Sequence, residues 1–144
     1  MERVWQLLDK KGHEVWSVGP NDSVYQALNL LADKDIGALV VLDEGRLAGI
    51  FSERDYARKV ALKGKSSTET PVGDVMSRRV LYVRPDQSVD DCMALMTEHH
   101  IRHLPVLDGD SLVGVVSIGD LVKSVISHQG YIIEQLEHYI TGGR

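Results

Sequence analysis

The segment from Val15 to Val60 recurs as Val80 to Val125, 65 positions further on and without insertion or deletion. Identities between the copies include Pro20 and Pro85, Ser23-Val24 and Ser88-Val89, Ile36 and Ile101, and Asp43 and Asp108. They continue through Gly49 and Gly114, Ser52 and Ser117, and Asp55 and Asp120. A supersecondary unit used twice does not usually bury its apolar face alone, so the copies are expected to pack on each other as halves of one domain. Any functional cleft is then expected between the halves, in two related versions.

Each copy reads as strand, helix, strand, strand, helix. Val15-Trp16-Ser17-Val18 alternates and stops at Gly19-Pro20, and Val80-Leu81-Tyr82-Val83 stops at Arg84-Pro85. Asn21-Asp22-Ser23 is a capping cluster ahead of Val24, Ala27, Leu28 and Leu31 at helical spacing, matched by Asp86-Gln87-Ser88 ahead of Val89, Cys92, Met93 and Met96. Leu39 to Leu42 is a continuous apolar run, the mark of a strand covered on both faces. In its twin, Leu104 to Leu107, Pro105 is expected at a strand start or edge because it has no N–H to donate. Asp43-Glu44-Gly45 and Asp108-Gly109-Asp110 are tight-turn sequences, and helices are expected to begin near Glu53 and Gly119. The segment boundaries expected are 1–14 for an N-terminal helical piece, 15–68 and 69–130 for the repeats, and 131–144 for a helical tail. Within these, residues 62–75 form a polar, turn-rich connection. The tail carries Tyr131, Ile132, Leu136, Tyr139 and Ile140 at helical spacing, ends at Gly142-Gly143, and has no obvious apolar partner within the repeats.

A chain of 144 residues is long enough for a proper core without disulfides or metal. The single cysteine, Cys92, pairs with Ala27 in the repeat and reads as a small buried apolar residue. A net charge of −5 argues against a general nucleic-acid binder. No apolar run approaches the ~20 residues of a membrane span. A soluble, cytoplasmic protein is expected.

The strongest chemical signal is Gly49-Ile50-Phe51-Ser52-Glu53-Arg54-Asp55, echoed by Gly114-Val115-Val116-Ser117-Ile118-Gly119-Asp120. The glycine lets the backbone pass close to a neighbour or a ligand. The serine falls at a strand-to-helix junction, where its hydroxyl caps the helix, and the aspartate follows in the first turn. Such a junction suits a phosphate at the helix N-terminus and a ribose diol on the carboxylate. Without any ligand, the same pair is simply a cap and a dipole complement.

These residues resemble a pair of cystathionine-β-synthase (CBS) domains. The likeness rests on the Val-x-x-Val-x-Pro starts, Ile36-Gly37-Ala38-Leu39-Val40-Val41, Ile101-Arg102-His103-Leu104-Pro105-Val106 and the two Gly-x-x-Ser-x-x-Asp motifs. Ser52 to Tyr56, the Lys63-Gly64-Lys65-Ser66-Ser67 loop and Val116 to Asp120 further resemble the stand-alone CBS-pair proteins of bacteria and plant mitochondria. The resemblance implies an α/β fold of two βαββα repeats about a pseudo-twofold axis, associating as a homodimer. It implies a non-enzymatic signal-transduction and energy-sensing module that binds adenine nucleotides, AMP foremost, with ADP, ATP or NAD(H) as other candidates. One site would join Ser52, Arg54 and Asp55 to Asp86, Gln87, Ile101, Arg102 and His103. The other would join Ser117 and Asp120 to Asn21, Asp22, Ile36, Gly37 and Ala38. The Asp55 site, with Arg54, Arg102 and His103 and with Arg58 and the Lys63–Thr68 loop near, would dominate binding of phosphorylated ligands. The regulated partner would be an unidentified protein acted on in trans. No nucleic acid, membrane or metal is expected.

Other readings were open on the residues alone. His99, His100 and His103 lack the shared face and the companion ligands of a zinc site, since a strand is expected from Ile101. Ser52 and Asp55 lack a histidine in a triad arrangement. Arg58, Lys59, Lys63 and Lys65 suit a solvated helix face as well as a phosphate, and Trp5, Trp16 and Tyr25 read as packing residues. The competing functional reading is a structural or interaction module with a vestigial cleft, working through the tail.

Overall fold

The computed structural model describes residues 2–141, with side chains described to residue 138. Gly142-Gly143 and the side chains of Tyr139 and Ile140 lie outside the described residues. The chain forms two compact units, one of residues 14–81 and one of residues 1–13 together with 82–144. Both are mixed α/β, as the repeat pattern predicts.

The 14–81 unit runs β1 (Ser17–Val18), α2 (Val24–Lys34), β2 (Ala38–Asp43), β3 (Arg46–Ser52), α3 (Glu53–Asp55), a π-helical turn (Tyr56–Ala61) and α4 (Val72–Val75). Its sheet has the order β1-β2-β3, with β1 parallel and β3 antiparallel to β2. Ser23 caps α2, accepting from the Gln26 N–H while the Gln26 side chain accepts from the Ser23 N–H. The β2–β3 turn puts Glu44 and Gly45 both at positive φ, the pattern of a type I′ hairpin. The core comprises Val18, Val24, Ala27, Leu31, Leu39, Val41, Phe51, Val60, Val72, Val75 and Met76.

In the second unit, α1 (Val4–Lys11) joins α5 (Val89–His99), β4 (His103–Asp108), β5 (Ser111–Ser117) and α6 (Ile118–Thr141). The copies differ in their first strand. Val40 donates to the Trp16 carbonyl in the first copy. Pro105 stands at the matching position and has no N–H, so β1 has no full counterpart and only Val83 bridges Val106. Pro105 lies third in β4 rather than at its start, in a two-stranded sheet where both strands are edges.

The repeat also extends beyond the bounds visible in the sequence. The Val72 and Gly73 N–H groups donate to the Asp22 and Pro20 carbonyls, and the Val24 N–H to Thr70. In the second unit Val4 and Trp5 donate to Gln87 and Pro85, and Val89 to Glu2. Thus α1 serves the second copy as α4 serves the first, although α1 precedes both copies in the chain.

The strand expected from Ile101 begins at His103. His100 takes the left-handed conformation at φ 55 that ends α5, and Ile101 donates back to the Met96 carbonyl, which closes the helix. Trp5, Trp16 and Tyr25 are exposed rather than packed inside, and the Lys34 ammonium lies 4.1 Å from the Trp16 ring centroid. Helix α6 runs unbroken through Gly130, and Val122, Ile126, Tyr131, Ile132, Ile133 and Leu136 along it are exposed. Among the described residues no helix is long and apolar enough to cross a membrane.

Cys92 is fully buried on α5, as its pairing with Ala27 implies. Burial, reinforced by the Asp91 carboxylate, pushes its thiol up to about 11. We expect no measurable reaction with a thiol reagent at neutral pH in the native protein and full reaction in denaturant. Rapid native labelling would contradict this placement.

Candidate functional site

Each motif sits at the end of a hairpin. Strand β3 ends at Ser52 and β5 at Ser117, paired with Ala38 and His103 respectively. The following helix starts against the loop before the partner strand, with Glu53 donating to the Gly37 carbonyl at 3.0 Å and Ile118 to the Arg102 carbonyl at 2.8 Å. The serine then caps. Ser52 Oγ accepts from the Asp55 N–H at 3.2 Å, and Ser117 Oγ from the Asp120 N–H at 3.2 Å. Each carboxylate reaches back to its serine N–H, at 3.0 Å for Asp55 and 2.8 Å for Asp120.

The glycine that opens each motif accommodates a neighbour, not open space. A Cβ on Gly49 would lie 2.7 Å from the Ser77 carbonyl oxygen, and one on Gly114 would lie 2.7 Å from Leu8 Cδ2. That closeness brings a second layer of groups onto the aspartates. Ser77 exchanges both backbone hydrogen bonds with Ile50, and its hydroxyl donates to Asp55 Oδ1 at 3.1 Å. At the position matching Ile50, the Val115 carbonyl accepts instead from Lys11 Nζ at 2.7 Å, and the same ammonium lies 2.6 Å from Asp120 Oδ2. One lysine on α1 therefore donates both to the strand carbonyl and to the carboxylate, as the Ser77 N–H and hydroxyl do in the first copy.

The two aspartates consequently differ. Asp55 is 6 % exposed. Its Oδ2 accepts from the Ser52 N–H and hydroxyl, and its Oδ1 from Ser77 Oγ and from Lys59 Nζ at 3.0 Å. The π-helical turn carries Lys59, whose ammonium also donates to the Val75 carbonyl at 3.1 Å. Asp120 is half-buried, and only its Oδ2 is engaged among the described residues, by Ser117 and Lys11. Burial by itself would raise the Asp120 carboxyl. The Lys11 hydrogen bond and charge, with the Ser117 donors, outweigh that and leave it below the usual carboxylate range.

Of the residues singled out in the sequence, Asp22, Ile36, Gly37, Ala38, Ser52, Arg54 and Asp55 belong to the first unit. Gln87, Ile101, Arg102, His103, Ser117 and Asp120 belong to the second. Asp22 and Gln87 do structural work: the Asp22 carboxylate accepts from the Gly19 N–H at 2.7 Å and the Gln87 side chain from the Arg84 N–H at 2.8 Å. The His103 imidazole is biased toward its neutral form. Its ring is lowered chiefly by burial, with the Lys11 and Arg102 charges acting the same way against the Asp120 carboxylate. That bias works against His103 as one of the three cations that the sequence suggested. Ser77 and Lys11 were not singled out, and Lys59 was read only as one of a basic group suited to solvent or phosphate, whereas it pairs with Asp55. The Asp55–Lys59 pair was legible as an acidic residue four places before a basic one on a helix. Lys11, 109 positions from Asp120, left no sequence signal.

A concavity of about 470 Å³ elsewhere in the second unit, lined by Lys10, Asp90, Ser124, His128 and Tyr131 among others, contains none of these residues. Among the described residues no cluster of His, Cys, Asp and Glu has the makings of a metal site.

The family model for the CBS domain matches residues 11–62 and 72–127. The chain is 41% identical over 128 residues to the mitochondrial CBS domain-containing protein CBSX3 of Arabidopsis thaliana, covering 85% of this chain and 62% of that one. Among solved structures, a protein with CBS domains from Burkholderia ambifaria matches with 55% identity and a TM-score of 0.86, over 89% of this chain and 96% of that one. The CBS domain pair of protein MJ0100, solved in complex with 5′-methylthioadenosine and S-adenosyl-L-methionine, matches with 25% identity and a TM-score of 0.78, over 89% and 98% of the two chains. With the same strand–serine–helix–aspartate junction built twice and the family model matched twice, this chain belongs to the CBS domain family, as a pair of CBS repeats.

Proposed function

We propose that this chain is a non-catalytic regulatory module that binds an adenine nucleotide at its Ser-x-x-Asp junctions and acts through a partner protein. The observation that carries this reading is the Asp120 junction. Among the described residues it pairs a carboxylate with an unengaged oxygen, able to accept from a ribose hydroxyl, with the nearby Lys11 and Arg102 charges for phosphate. The adenosine-type ligands of the MJ0100 domain pair support the ligand class. His103 pairs with Ser117 across the hairpin and so stands beside this junction; Ile101 and Gln87 belong to the same unit, and Asp22, Ile36, Gly37, Ala38 and Arg54 accompany Ser52 and Asp55 in the other. AMP is the first ligand to test, then ATP, ADP and NAD(H).

Saturated as it is, Asp55 is a weaker candidate for a diol than Asp120, which reverses the ranking drawn from the basic residues of the sequence. Calorimetric titration of nucleotide-free protein with AMP, ATP and NADH should give micromolar binding that Asp120→Asn weakens at least tenfold, the loss of about one charged hydrogen bond. No heat with any of them would favour the second reading, an interaction module. That reading rests on the exposed apolar residues of α6, which also make this helix our candidate for the homodimer contact.

A further inference from the structure

We propose that Lys11 determines the charge preference of the Asp120 junction, admitting nucleoside phosphates and disfavouring neutral nucleosides. The inference rests on the nucleotide-binding reading above and adds a residue outside the CBS motifs. Its basis is the occupancy of Asp120 Oδ2, which already accepts from the Ser117 N–H and from Lys11 Nζ at 2.6 Å. A vicinal diol chelates a carboxylate by giving one hydrogen to each oxygen. Oδ1 is open among the described residues, but Oδ2 has to release Lys11 to complete that pair.

Among the described residues, release leaves the ammonium with only the Val115 carbonyl, in a position where its side chain is 33% exposed. A neutral nucleoside offers the displaced ammonium nothing, so its diol competes with an existing charged hydrogen bond. A ligand carrying a phosphate exchanges partners evenly: its diol takes Asp120 and its phosphate takes Lys11. The first copy cannot discriminate in this way. Its Asp55 is held by the neutral Ser77 hydroxyl as well as by Lys59, and both oxygens are fully engaged. Lys11 reaches Asp120 because α1 docks in the second unit, so the preference is a product of that docking.

The test compares AMP with adenosine by calorimetry on wild type, Lys11→Met, Lys11→Gln, Lys11→Arg and Asp120→Asn, each checked for native circular dichroism. Wild type should bind AMP more tightly than adenosine. That ratio should fall about tenfold in Lys11→Met and Lys11→Gln, partly through a gain for adenosine, and return in Lys11→Arg. An unchanged ratio in a folded Lys11→Met or Lys11→Gln protein overturns the role of Lys11 while leaving nucleotide binding intact. Absence of binding by both ligands to wild type and to Lys11→Met overturns the nucleotide reading, and this inference with it. A merely structural lysine would weaken both ligands in parallel, which the ratio separates.

Discussion

Asp55→Ala lowers the stability of the protein by about 3 kcal/mol, where Asp120→Ala costs about 1 kcal/mol. The asymmetry follows from what each carboxylate holds. Removing Asp55 takes the acceptor from the Ser52 N–H, the Ser52 hydroxyl and the Ser77 hydroxyl at once, in a site where the aspartate is 6 % exposed. Buried donors left without acceptors cost about 1–3 kcal/mol each, less what water recovers. The Lys59 ion pair adds little, because Lys59 is 44% exposed and screened. Asp120 gives up its serine contacts and a lysine in a more open site, so the loss stays near that of a helix cap, about 1 kcal/mol. Urea unfolding measures both, read as a shift in midpoint at constant slope. Equal losses in the two variants would show that Asp55 is not the structural keystone its contacts indicate. The same result bears on binding experiments: Asp55→Ala removes stability along with any ligand contact, which is why Asp120→Asn is the cleaner probe.

Gly49→Ala is expected to cost about 3 kcal/mol and Gly114→Ala about 1 kcal/mol, although the two glycines are repeat equivalents with the same neighbours in sequence pattern. The methyl group on residue 49 meets the Ser77 carbonyl oxygen at 2.7 Å and Met76 Sδ at 2.8 Å. The carbonyl does not yield easily, because Ser77 is fixed by reciprocal backbone bonds to Ile50 of 3.0 and 2.8 Å. Moving it also draws the Ser77 hydroxyl off Asp55. At residue 114 the three atoms nearest the methyl are side-chain carbons of Leu8, at 2.7, 3.0 and 3.4 Å, and a leucine escapes a clash by rotamer change at the cost of some packing. Thermal and urea unfolding of the two variants decide the order. A larger loss for Gly114→Ala would mean that Leu8, which is 1% exposed, has no alternative rotamer in its packed site.

Much of the architecture was legible in the residues. Ser23 and Ser88 cap their helices as the Asn21-Asp22-Ser23 and Asp86-Gln87-Ser88 clusters suggest, because a cap is a contact over three residues. The apolar run of Leu39 to Leu42 became β2, and its twin β4, because burial on both faces demands unbroken hydrophobicity. The first strand of the second copy was over-read. Val80 to Val83 has the same alternation as Val15 to Val18, but a ladder also needs donors on the partner strand, and Pro105 removes one. The histidines illustrate the other limit: their spacing argued against metal, yet the downward shift of His103 depends on burial and on charges that meet it only in the folded chain.

What the sequence determined by itself is the repeat, the order of strands and helices in the first copy and from Val89 onward in the second, and the serine–aspartate junction at the end of each hairpin. All of these are set by periodicity and by contacts a few residues apart. Tertiary structure decided the rest. It docked α1 in the unit of the second copy, set Ser77 on Asp55 and Lys11 on Asp120, and so made two identical motifs into one saturated and one open carboxylate. Those pairings span 22 and 109 positions and follow no period, so they exist only once the packing of α1 and of the Met76-Ser77 segment brings the groups within hydrogen-bonding distance.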